Sequence, residues 1–446
     1  MKLFCKDCDS KKKAMFLLLA AAGVMEFLFI TLESLFSGLA YYVTETYLIV
    51  PALLFFGYAL MDRLPEFSRR RLLLAGAAIA WFVVVQIIHR LSGMDTHPIG
   101  TVFFVYLMAF PFASVTEDKE SLGLKWIGGM FLTASLVLVA YGGVLLADLV
   151  PESLGQFIFW DGARLHVFWH PNISACFFML GIGFAAAFLV RTKRLLWKLL
   201  LLASIILQMA LMAMTNCRTT LLLTGAMLGA ILFLAILQRF RPKLPRKSGK
   251  RNIQIILLCL VLVLTILAGF FLVAGKLYQR NNDRLLEEAA VDVLETDNPQ
   301  NSLTEDMRTL NGRIPIWKAA FSAIRDNKRL ALFGTEYSGT VISVYNSFEV
   351  VHGHNAWVES LLRLGLPGLL LSLAFTALAV ASAAKLVLNP GAELWKKILA
   401  VLTMCLMATG FLEPYLFITN VYYHVTDFAF FFLTGYLDHW ANQKTV

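Results

Sequence analysis

Four short stretches carry the residues able to do chemistry: GARLHVFWHPN at 162–172, TNCRTT at 215–220, NGRIPIW at 311–317 and HGHNAW at 352–357. They supply Arg164, Arg218, Arg313 and His354. A guanidinium stays charged at every relevant pH and meets a diphosphate with paired hydrogen bonds. An imidazole accepts a proton near neutrality. The set therefore suits a diphosphate-bearing donor and an acceptor hydroxyl that must lose its proton, with the arginines stabilising charge that builds on the departing diphosphate. No metal or other cofactor is expected. A plainer reading stands beside this one: single arginines at a membrane interface bind lipid headgroups or snorkel, Arg313 caps its own helix, and His354 is an interfacial polar residue. His166 and His170 have HxxxH spacing without a third ligand and are read as packing around the HPN turn.

The elements that must position these residues are apolar. Of 446 residues, 58% are hydrophobic and 15% charged, with mean hydropathy +0.69, which excludes a water-soluble domain. Runs long enough to cross about 30 Å of hydrocarbon recur along the chain. They predict spans at 14–34, 39–61, 72–91, 98–115, 124–148, 171–190, 196–214, 219–238, 253–275, 356–384, 396–412 and 421–440. Continuous runs exclude a β-barrel, whose strands alternate over about ten residues. The expected fold is an all-α integral membrane protein of about twelve transmembrane helices. The first run follows Lys11–Lys13 and carries Glu26, and is read as a retained helix rather than a leader.

The charge distribution predicts the topology, because short loops rich in Lys and Arg stay cytoplasmic. With both termini inside, the inner segments hold 26 of the 39 basic residues. The short outer connections carry Arg90, Arg164, Arg218 and Arg363, which orientation does not require. The basic stretch 239–251 reads as an inner loop that fixes topology, not as a nucleic-acid site. The expected location is the cytoplasmic membrane with the site on its outer side. Three regions follow: a nine-helix region 1–276, an extracytoplasmic loop domain 277–353, and a three-helix region 354–446. Within the loop, Ile316, Trp317, Ala320, Phe321 and Ile324 recur at helical spacing, predicting an amphipathic helix over 313–327, and a shorter one is predicted over 283–294. Of six cysteines, the Cys5–Cys8 pair lacks two further zinc ligands and is read as inert thiols. Glu26, Glu33, Glu45, Glu413, His424 and Asp427 in or beside spans are read as structural pairing or cavity lining, outside the site.

At HGHNAWVESLLRLGLPGLLL the sequence resembles the O-antigen ligase and polymerase family, in which a His-Asn pair opens a helix bearing Gly-x-x-Gly about ten residues on. Here those are His354, Asn355, Gly365 and Gly368. Further matches are Arg313 with Trp317 and the HPN turn of His170, Pro171 and Asn172. The sequence departs where Cys217 precedes Arg218 in place of serine, and where the glycines after the loop helix are reduced to Gly334. The resemblance spans roughly 160–385. It implies a metal-independent, multi-spanning glycosyltransferase that moves a glycan from an undecaprenyl-diphosphate carrier to a glycan, lipid or other hydroxyl acceptor outside the membrane. It further implies that His354 deprotonates the acceptor, that Arg218 and Arg313 hold the diphosphate with help from Arg164, and that Asn355, Trp317, His170 and Asn172 support them. The competing class is a transporter or flippase of lipid-linked glycans, with intramembrane Glu26, Glu45 and Asp427 as coupling residues.

Overall fold

The computed structural model describes residues 69–94, 110, 122–146, 159–161, 164–166, 171–215, 217–240, 276, 313–335, 342–345, 348–350, 353–414, 416–417 and 424–443. The spans expected at 14–34, 39–61, 98–115 and 253–275, and the short helix at 283–294, lie outside them apart from Phe110. Ten helices are described: α1 Arg69–Leu91, α2 Leu122–Leu146, α3 Pro171–Arg191, α4 Leu195–Met214, α5 Arg218–Phe240, α6 Arg313–Asp326, α7 Lys328–Phe333, α8 Ala356–Leu388, α9 Leu394–Thr409 and α10 His424–Asn442. Five of them (α1, α3, α4, α5 and α8) are long and apolar enough to cross a membrane by length and composition. Eight expected spans coincide with described helices. Two antiparallel ribbons were not expected: β1 Phe159–Asp161 with β2 Arg164–His166, and β3 Ile342–Tyr345 with β4 Phe348–Val350. Strands of three or four residues are too short for alternation to register in a sequence.

The bundle is organised around α3, whose residues Ile173–Ala187 are all buried, as a helix apolar all round requires. Small residues let neighbours approach it. A Cβ on Gly183 would stand 2.6 Å from the Leu402 side chain of α9. One on Gly181 would stand 2.1 Å from Gln208 Oε1 of α4 and 2.2 Å from Ser135 Oγ of α2. Close approach at small residues with polar groups between helices is how helices associate where lipid offers no hydrophobic drive.

The two ends of the bundle differ in charge. At one end Arg71 Nε pairs with Asp438 Oδ2 at 3.2 Å, Arg191 lies over the Trp395 ring at 4.4 Å, and Lys385 Nζ reaches Asn442 Oδ1 at 3.4 Å. Lys193, Arg194 and Lys198 beside the α3–α4 turn and Lys396 and Lys397 at the start of α9 belong to the same end. The other end gathers the starts of α3, α5, α6 and α8 with the close of α9. The sequence stretches singled out for chemistry converge there.

Helix α8 is broken at Gly365, whose φ of 68° and ψ of −169° are non-helical. The part beyond the break, Leu366–Leu388, is 23 residues or about 34 Å, enough for a membrane crossing alone. Ala356–Leu364 is therefore a separate short helix, buried along its length. The break is where the loop docks. Gly334, at φ 71°, ends α7 against it: a Cβ on Gly334 would lie 2.3 Å from the Arg363 carbonyl, and one on Gly365 would lie 2.1 Å from Leu332 O. The peptide groups freed by the break find partners in neighbours, since Thr335 N donates to Leu362 O at 2.8 Å and Trp81 Nε1 of α1 to Leu364 O at 2.8 Å.

Candidate functional site

The loop helix α6 sits on the short helix. Ile316 and Ala320 are buried against Val358 and Leu362, with Trp317 and Ile324 partly covered, so the apolar stripe caps the bundle. Phe321, expected on that stripe, is 53% exposed. This packing brings Arg313, the first residue of α6, to the close of α9. There Arg313 Nη2 meets Glu413 Oε1 at 2.7 Å. The same oxygen accepts from Asn172 Nδ2 of α3 at 2.7 Å, and His354 Nδ1 stands 3.9 Å from Glu413 Oε2. Three residues singled out from sequence, on three separate segments, thus meet one carboxylate whose side chain is 7% exposed.

Glu413 was placed outside the site on sequence grounds. Of the two expected roles, pairing or cavity lining, the geometry contains pairing, and its partners are Arg313, Asn172 and His354. The signal available was an acid inside the apolar run GFLEPYLF, where an ionised group demands a partner.

His354 is held in an unusual backbone conformation, φ 45°, which non-glycine residues rarely adopt without local compensation. Both sides of it are fixed. On one side Gly353 N donates to Glu359 Oε2 at 2.6 Å, and Gly353 O accepts from Trp317 Nε1 at 2.8 Å. On the other, Asn355 caps the short helix. Its Oδ1 accepts from Trp357 N and Val358 N, each at 3.0 Å, while its Nδ2 donates to Phe411 O at 2.9 Å. Ala356 N donates to Gly410 O at 2.7 Å and Glu359 N to Asn355 O at 2.8 Å. The amides of Ala356, Trp357, Val358 and Glu359, which lead this helix, are thereby all engaged within the protein.

Arg363, one of the arginines that orientation did not require, has a structural partner. Its Nε meets Glu359 Oε1 at 2.8 Å, with both side chains almost fully buried. Glu359 thus links the break in α8 to the turn before His354.

Arg218 begins α5 at the same end of the bundle and is exposed. Cys217 beside it is buried, its Sγ 3.1 Å from Thr220 Oγ1, and Cys176 of α3 approaches the same hydroxyl at 3.7 Å. These contacts fix the start of α5 against α3. Arg164 opens β2, which touches α3 and α4, so its backbone also lies at this end, and its side chain is outside the described set. His170 lies outside the described residues. Among the described residues no group of three or more His, Cys, Asp or Glu gathers as a metal site.

Residues 203–373 match the family model described as O-antigen ligase. The matched stretch contains Arg218, Arg313, His354 and the break at Gly365, whereas Asn172 and Glu413 lie outside it. No curated protein matches the chain.

Proposed function

We propose that this chain, whose residues 203–373 match the family model described as O-antigen ligase, is a membrane glycosyltransferase acting on an undecaprenyl-diphosphate-linked glycan. The observation that carries the reading is the convergence of Arg313 and His354 on Glu413, with Arg218 opening α5 at the same end of the bundle. In the proposed step the hydroxyl oxygen of the acceptor attacks the anomeric carbon of the donor glycan. His354 takes the hydroxyl proton, a new carbon–oxygen bond forms, and the bond to the diphosphate breaks with its electron pair leaving on the phosphate oxygen. Arg313 and Arg218, with Arg164 assisting, hold the negative charge that develops there. Helix α6 and the residues after it, 313–335, cover the short helix that follows His354, and the end rich in Lys and Arg faces the cytoplasm.

The test is direct. Purified protein is incubated with a lipid-diphosphate-linked oligosaccharide and candidate acceptors, and products are separated by size. Lengthened carrier-linked chains identify a polymerase, and transfer to a different molecule identifies a ligase. No transfer across several donors, with movement of the carrier between leaflets instead, would replace the proposal with a flippase.

A further inference from the structure

Arg313 approaches one oxygen of Glu413 and His354 faces the other. The division matters because an imidazole can act as a base at only one of its nitrogens at a time. Glu413 Oε2 lies on the Nδ1 side of the ring, at 3.9 Å, and a carboxylate there favours the tautomer that carries its proton on Nδ1. The basic lone pair is then on Nε2, at the far side of the ring from Glu413. The carboxylate is itself steered: Arg313 Nη2 and Asn172 Nδ2 both donate to Oε1 at 2.7 Å, which turns Oε2 toward the histidine. Glu413 is only 5% exposed, so its carboxylate is held away from water, while the His354 ring, 32% exposed, stays open on its other side.

We infer that Glu413 is the positioning residue of the general base, holding His354 with Nε2 toward the acceptor and stabilising the imidazolium that forms as the acceptor proton arrives. The inference rests on the glycosyl-transfer reading above. It adds a coupling between donor and base. When a donor diphosphate engages Arg313, the Glu413 charge is released from that pair and is available to the imidazolium. Glu413 neither gives nor takes a proton in the step.

The experiment is steady-state transfer by the full-length purified protein in bilayer nanodiscs, with donor and acceptor varied in turn. Glu413→Gln is expected to lower kcat about 10²-fold, on the scale of lost general-base catalysis, while changing donor KM less than about threefold. Asn172→Ala removes one steering hydrogen bond and keeps the charge; its kcat should fall about tenfold by the same reasoning. A role exerted only through Arg313 or through folding raises donor KM or lowers the yield of monodisperse protein without the kcat loss, and either result overturns the inference. So does a Glu413→Gln enzyme with kcat within about twofold of the unsubstituted chain. Should Glu413→Gln not fold, Asn172→Ala decides by the same split between kcat and KM. Absence of transfer by the unsubstituted chain would instead defeat the underlying reading before any variant is compared.

Discussion

Replacing Gly365 by alanine tests how the loop is tied to the helix that presents His354. Two costs arise. The backbone at φ 68° and ψ −169° belongs to a region essentially closed to residues with a Cβ, at about 1–3 kcal/mol. The added methyl would also stand 2.1 Å from Leu332 O and 2.3 Å from Leu332 C, which are backbone atoms and cannot rotate aside. Relief requires α7 to withdraw by about 1 Å, which strains the Thr335 N to Leu362 O bond and the stacking of Trp81 on Phe333, each contributing about 1 kcal/mol. The sum is about 3–5 kcal/mol, about two to three and a half orders of magnitude in the equilibrium for releasing the loop. Gly76→Ala in α1 is the control, since nothing lies within 4 Å of its added Cβ. The assay is the fraction of detergent-solubilised protein that stays monodisperse after graded heating, with glycan transfer measured in parallel. Gly365→Ala should melt well below the parent and lose transfer, and Gly76→Ala should match or slightly exceed the parent. Equal stability of Gly365→Ala and the parent would refute the crossing of α7 and α8 as the loop's anchor.

Other outcomes follow from the same contacts. Arg363→Met leaves the Glu359 carboxylate buried without its partner and should cost about 3–5 kcal/mol, read as a lowered melting midpoint; adding Glu359→Gln should recover part of it. Trp317→Phe removes the hydrogen bond to Gly353 O and should cost about 1 kcal/mol with a several-fold loss of transfer, checked by kinetics at matched folded amounts. The exposed Arg325–Asp326 pair should be dispensable. Its hydrogen bond holds the Asp326 carboxyl below the usual carboxylate range, so whatever stability the pair adds is present at neutral pH and lost only as acid protonates Asp326. Arg325→Ala should therefore melt with the parent at pH 7.

Much of the architecture is legible in the sequence because membrane helices announce themselves by continuous apolar runs. Ile316 and Ala320 at helical spacing likewise mark the buried face of α6. What pattern cannot give is which face of a partner a residue meets. Phe321 shares the apolar stripe by spacing, yet Ile316 and Ala320 are the residues that meet the short helix, and the Phe321 ring is left exposed. Arg363 read as a surplus outer arginine, whereas it pairs with a glutamate one turn earlier. The break at Gly365 turns a single 33-residue helix into a buried short helix and a span; Gly365 and Pro367 are compatible with a break, and the backbone angles place it. Glu413 is the residue whose place the sequence conveys least. Its importance lies in contacts with Asn172, Arg313 and His354, which are 241, 100 and 59 positions away, and long-range pairing of that kind leaves no local trace.

The most direct test of the central claim compares glycan transfer from purified lipid-diphosphate-linked oligosaccharide by the intact protein, Arg313→Ala and His354→Ala at matched amounts of monodisperse protein. The expected result is transfer by the intact chain, a loss of kcat in His354→Ala with donor still bound, and weakened donor binding together with slowed transfer in Arg313→Ala. Undiminished transfer in His354→Ala would contradict the assignment of this end of the bundle as the catalytic site.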